Sequence, residues 1–259
     1  MPTPRTRALM TAAVLLAAAL GAGEGGSQPD PPATAIWDEL LRQHARGGGL
    51  DYASLARDRG RLESYLEAVA ATDVGALDDA AALAFWINAY NAGVARLVLE
   101  RYPGLASVED VDGFFDELTV EVAGRAMTLD EIETRARDSG DARVHFAVVC
   151  ASASCPDLRA EAYVGARLEE QLSDQTSRFL ADRDKGLRFD PEREELHLSS
   201  IFKWYAGDFT GGSTVVAFFA RSQITAWVLP HLPEELAERI RAAAPAVRYM
   251  DYDWTLNDR

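Results

Sequence analysis

The chain has 259 residues, with 41 acidic against 26 basic side chains, a net charge of -15 at pH 7, and two cysteines. A surface this negative repels phosphate backbones and anionic membrane faces, which excludes nucleic acid as a first-choice partner and reads as a solvated face that keeps the chain in solution. No repeat at solenoid periods and no internal Pro/Gly/Ser-rich linker divides it, so one domain is expected.

Arg5 and Arg7 precede an apolar, small-residue run at 8–22. The run is shorter than the ~20 residues a membrane-spanning helix needs, so residues 1–22 are expected to be a cleavable signal peptide, cut near Gly21-Ala22-Gly23. No cysteine follows that could carry a lipid, and the mature protein is expected in the periplasm or secreted, with no membrane span. Losing the two arginines would take the net charge to -17 (24 basic against 41 acidic). Residues 23–35 lack an apolar period and read as a flexible leader, leaving a single globular domain over 36–259.

The N-terminal third reads as helical. Ile36, Leu40 and Leu41, then Leu55, Leu62, Tyr65, Leu66 and Val69, fall at helical spacing. Asp78-Asp79 opens a long helix over 80–100 that is apolar on nearly every face and must therefore be buried. Residues 118–129 alternate around Ala123-Gly124 as a hairpin, and Thr128-Leu-Asp-Glu131 is a capping box for a helix over 130–137. The continuous apolar run 144–150 is expected to be the central strand of a mixed sheet. An amphipathic helix over 164–181, a second hairpin at 187–189 and 195–198, helices at 213–228 and 232–243, and a last strand at 247–252 complete the chain. Paired strands between helices, without a βαβ rhythm, predict the α+β class.

Four places could carry chemistry. Asn88 and Asn91 lie three apart on one face of the buried helix. They either tie it to a neighbouring segment or line a polar pocket as orienting or oxyanion-binding groups. His145 opens the apolar run as hydrogen-bonded core or as a tuned acid/base. In a regular strand it would lie about 16 Å from Cys150 and point to the opposite face. Cys150 and Cys155, spaced C-x4-C, are expected to pair in an oxidising compartment, and the rival reading is a reactive Cys155 thiol ahead of Pro156. Trp204, Tyr205 and Asp208 in the aromatic segment 201–209 are the binding candidates. His145, Asn88 and the Cys150 to Cys155 turn are expected to meet at one concave site. Two cysteines and one buried histidine lack a fourth ligand, so no metal is expected. The chain has no Gly-rich phosphate loop, no H-E-x-x-H and no G-x-S-x-G, and no cofactor is expected.

The segments AFWINAYNAGVARLVLERYP (84–103), MTLDEIE (127–133), RVHFAVVCASASCPDLRAEAY (143–163), SSIFKWYAGDF (199–209) and YMDYDWTLND (249–258) resemble, in order, the family called domain of unknown function 547. The resemblance carries over Asn88, Asn91, His145, Cys150, Cys155, Trp204, Tyr205 and Asp208 and implies no particular reaction. Two readings follow. One is a cell-envelope amide or ester hydrolase with Cys155 or Cys150 as nucleophile, His145 as base and Asn88 or Asn91 as orienter. The other is a non-catalytic module that binds a small-molecule or peptide ligand in a disulfide-shaped pocket.

Overall fold

The computed structural model describes residues 30, 31, 33–211 and 217–259. The expected signal peptide and most of the leader lie outside the described residues. The N-terminal third is helical as expected. Helix α1 (Thr34–His44) leads through the short pair β1 (Ala45–Arg46) and β2 (Gly49–Leu50) into α2 (Tyr52–Arg57), α3 (Arg59–Ala71) and the long α4 (Asp79–Leu99). Asp78 caps α4 by accepting from the Ala81 amide at 2.8 Å. By length and composition α4 could cross a membrane, but 78% of its apolar window is buried inside the fold. Its all-round apolarity is that of a core helix.

The first hairpin follows the sequence expectation. Strands β3 (Thr119–Val122) and β4 (Arg125–Thr128) pair antiparallel with Val122 opposite Arg125. The connecting Ala123 (φ 50°) and Gly124 (φ 74°) both take the left-handed conformation that a tight two-residue hairpin turn requires. Their amides donate to the carbonyls of Val69 and Ala70 at the end of α3, where Val69 O also accepts from the Thr72 amide. The turn is thus locked to a helix terminus, which offsets the cost of a left-handed alanine. Both bonds of the Thr128–Glu131 capping box start α5 (Leu129–Arg137). Gly93 lets this unit close on α4, since a Cβ there would meet Leu129 at 3.2 Å and Val120 at 3.3 Å.

The run 144–150 is not the central strand. It forms one helical turn, α6 (Val144–Ala147), followed by an unpaired extended stretch. The cause lies upstream: the Asp141 carboxylate accepts from the Arg143 amide at 3.0 Å, and Val144 and His145 then donate to the carbonyls of Asp141 and Ala142. This Asx turn winds the chain before the apolar residues begin. The backbone groups a neighbouring strand would have satisfied go to side-chain amides instead. Asn91 donates to Ala147 O (2.9 Å) and accepts from Val149 N (2.8 Å), and Gln175 donates to Phe146 O (2.9 Å).

Gln175 lies on α7 (Leu168–Ala181), which packs against α4 and α6. A mixed sheet does exist, later in the chain. Strand β5 (Leu187–Asp190) pairs antiparallel with β6 (Glu195–Leu198), the expected second hairpin. Helices α8 (Ile201–Trp204), α9 (Ala206–Phe209), α10 (Ala217–Val228) and α11 (Glu234–Ala243) then carry the chain across so that β7 (Ala246–Tyr249) joins β6 in parallel. A parallel neighbour needs such a crossover.

Two buried clusters result, one around α4 and one between the three-stranded sheet and the C-terminal helices. Helix α6 is their seam: Val144 and Ala147 belong to the first, while Phe146 enters the second and stacks on Phe179 at 4.8 Å. The α+β class and the single-domain organisation are those of the structure. The last residues return to the first cluster, where Ala153 and Ser154 donate to the carbonyls of Thr255 and Asp253. The tail therefore lies along the cysteine loop.

Candidate functional site

The His145 ring packs on Phe209 of the second cluster at 5.5 Å. It looks into a cavity of about 490 Å³ that also receives Tyr90 from α4, Asp130 and Glu133 from α5, Cys150, Cys155 and Pro156 from the loop, and Trp204 and Tyr205 from the end of α8. Phe115 and Asp116 ahead of β3, and Tyr252 and Trp254 from the tail, complete most of the wall. The helical turn at 144–147 is what lets His145 and Cys150 share a cavity, because the strand geometry would have sent them to opposite faces.

Cys150 and Cys155 are bridged, with Cα atoms 6.3 Å apart. Burial leaves Cys155 2% exposed, and the Cys150 amide donates to its sulfur at 2.9 Å. Tyr252 places its hydroxyl 3.4 Å from both sulfurs. Burial pushes that phenol up to about 12, so the hydroxyl keeps its proton and acts as a donor.

Beside the bridge is a chain of titratable groups. His145 Nε2 meets Asp208 Oδ2 at 2.8 Å, and Arg137 Nε donates to the same oxygen at 2.7 Å. Burial pushes the imidazole down to about 4 against the pull of the Asp208 carboxylate. It pushes Asp208 up, but the hydrogen bonds from Arg137 and His145 outweigh it and hold that carboxyl below its ordinary value. At neutral pH the pair is thus a neutral imidazole donating from Nε2 to a carboxylate. The Tyr205 ring covers the imidazole at 4.0 Å, and the Arg137 guanidinium lies 5.0 Å from the centre of that ring.

Glu133 is the least satisfied member. It is 7% exposed, and its buried Oε1 has no hydrogen-bond partner among the described residues; His145 Nδ1, 3.8 Å away, is too distant. Burial raises its pKa, helped by Asp130 and Asp208 and opposed by a hydrogen bond from Tyr205 and the charge of Arg137. Asp130, at the exposed rim, is raised by partial burial and by Asp116.

The residues expected at the site divide. His145, Cys150, Cys155, Trp204 and Tyr205 line the cavity, and Asp208 touches His145 from behind. Asn88 and Asn91 do not line it. Asn88 binds both backbone groups of Tyr163, donating to the carbonyl at 2.7 Å and accepting from the amide at 3.0 Å, as Asn91 does for Ala147 and Val149. Both serve as ties between α4 and the extended segments beside it.

Sequence reasoning passed over Tyr90, Glu133, Arg137, Tyr252 and Trp254. A signal for Glu133 was present: it is a carboxylate beside the Leu129, Ile132 and Ala136 stripe of α5, which is buried. Among the described residues no group of three His, Cys, Asp or Glu side chains is disposed to hold a metal.

Comparison with curated proteins and with solved structures returned no match. The model of a family described as "Protein of unknown function, DUF547" matches residues 74–180, the stretch that holds Asn88, Asn91, Glu133, His145 and both cysteines. Over residues 74–180 the chain is similar to that family, and Trp204, Tyr205, Asp208, Tyr252 and Trp254 come from beyond the matched stretch.

Proposed function

We propose that this domain is a non-catalytic ligand-binding module that holds a small molecule in the aromatic cavity beside the Cys150–Cys155 bridge, and that it works outside the cytoplasm. The observation that carries the reading is the bridge itself. Thiol-dependent acyl transfer needs a free thiolate next to its base, and both sulfurs are committed to each other. His145 is neutral, with Nε2 engaged by Asp208, so it has no nucleophile to activate. What remains is a concave, mainly aromatic wall with a few polar groups, the usual make-up of a binding site. Export follows the basic n-region and apolar run at the N-terminus, and it supplies the oxidising compartment the bridge needs.

The test is a free-thiol titration of unfolded protein recovered from the periplasm or medium, paired with an ester-hydrolysis assay of the wild type and Cys155→Ser. No titratable thiol and no Cys155-dependent turnover is the expected result. Two free thiols together with turnover lost in Cys155→Ser would replace this reading with the hydrolase.

A further inference from the structure

The carboxylates on the cavity wall are not balanced by cationic side chains. Asp116, Asp130 and Glu133 line it, and among the described residues no lysine, arginine, asparagine or glutamine does. A site for an anion would need cationic or amide donors. Beside the carboxylates stand ring faces: Trp204 stacks on Trp254 at 5.8 Å, and Tyr252 packs at 4.8 Å from each of them. Trp204 remains 47% exposed at this edge, a large apolar surface left open to solvent. Carboxylates and electron-rich ring faces have one ligand chemistry in common, since both attract positive charge.

Glu133 supplies an independent indication. Its Oε1 is buried at the cavity wall without a hydrogen-bond partner among the described residues, and leaving a buried carboxylate oxygen unpaired is costly. A cation in the cavity would sit beside the Glu133 carboxylate and relieve the mutual repulsion of Glu133, Asp130 and Asp116. The carboxylates are too dispersed to chelate a metal ion, so the charge has to arrive on a larger body that also covers the rings.

We infer that the cavity binds an organic ammonium, with the charged nitrogen on the side of the Glu133 and Asp130 carboxylates and its alkyl groups against the rings of Trp204, Tyr252 and Trp254. This rests on the cavity being a binding site and specifies the ligand's chemistry. A volume of about 490 Å³ suits a molecule of the size of choline bearing one further small group.

Full-length protein is titrated with three probes, followed by calorimetry and tryptophan fluorescence: choline, its uncharged isostere 3,3-dimethyl-1-butanol, and methyl β-glucoside. Choline is expected to bind at least about tenfold more tightly than the isostere, with affinity falling as salt rises. Glu133→Gln should weaken choline about tenfold or more and leave the isostere unchanged. Asp130→Asn at the exposed rim should give a smaller loss of the same sign, and it carries the test if Glu133→Gln does not fold. Equal binding of choline and the isostere, or binding of the glucoside alone, would overturn the ammonium inference while the binding-module reading stood. Failure of all three probes to bind folded protein would overturn both.

Discussion

Asn88, Asn91, Gln171 and Gln175 are buried as deeply as Glu133, yet the structure treats the two sets differently. Each amide bonds backbone groups of the extended segments that run between α4 and α7. Asn88 serves Tyr163, and Asn91 serves Ala147 and Val149. Gln171 donates to Ala162 O and accepts from Val164 N, and Gln175 donates to Phe146 O and Asp157 O. They act as a strand that is not there, supplying alternate donors and acceptors to backbone that has no sheet neighbour. Glu133 has a buried oxygen left unmatched, and it stands at the cavity. Buried polar groups that are saturated hold a fold together, while one that is left wanting has capacity for something that comes from outside.

The largest effect is expected where the seam is cut. Asn91→Leu keeps the volume approximately and leaves Ala147 O and Val149 N without partners in a buried setting, at a cost on the order of 3 kcal/mol. Asn88→Leu exposes the same fault at Tyr163 and should cost a similar amount. Urea unfolding of each variant measures it. Loss of less than about 1 kcal/mol in both would mean that water or relaxed backbone replaces the amides, and the contrast with Glu133 would fail.

A second effect belongs to the His145 network, and its sign can be worked out. The folded imidazole titrates at about 4, below its unfolded value near 6.5, because burial disfavours its charge. Between those values the unfolded chain binds more protons, so stability is complete above about pH 6.5 and is lost as pH falls toward 4. The groups that face the ring are Asp208, Arg137, Glu133 and Tyr205; the raised pKa of Glu133 acts in the opposite direction and trims the slope. The expected loss is on the order of 2 kcal/mol, and His145→Gln should flatten it. Unfolding midpoints of the two proteins compared across that window provide the measurement. Parallel curves would show that the imidazole does not titrate abnormally.

How much of this was legible depended on whether the deciding contacts were local. Hairpin β3–β4, the capping box on Thr128 and helix α4 were readable because turn residues, caps and apolar periods act within a few positions. The apolar run 144–150 misled for the same reason: its composition says strand, while the Asx turn at Asp141 and the amides of Asn91 and Gln175, from elements far away in sequence, decide otherwise. His145 and Asp208 were singled out one by one, but their contact spans 63 positions and depends on α9 reaching back to α6. Tyr252 and Trp254 reach the cavity through a tail whose bridges to Ser107 and Ser152 have no local signature.

The smallest effect on stability is expected at Glu133, and its smallness separates the two regions. Burial raises this carboxyl, so the folded state favours its protonated form; that contribution is present below the unfolded carboxylate value and is lost as pH rises through the folded one. The ionised form of this side chain is therefore a liability to the fold. Glu133→Gln removes the charge, can still meet the Tyr205 hydroxyl, and strands no backbone group. It should leave stability within about 1 kcal/mol of wild type, with the deviation on the stabilising side, whereas the Asn variants fall well below. Thermal unfolding at pH 7 and again near pH 4 measures the difference, which should shrink at the lower pH as the wild-type carboxyl takes up its proton. A loss as large as that of Asn91→Leu would assign Glu133 to the framework, and its unmatched oxygen would no longer mark a place for a ligand.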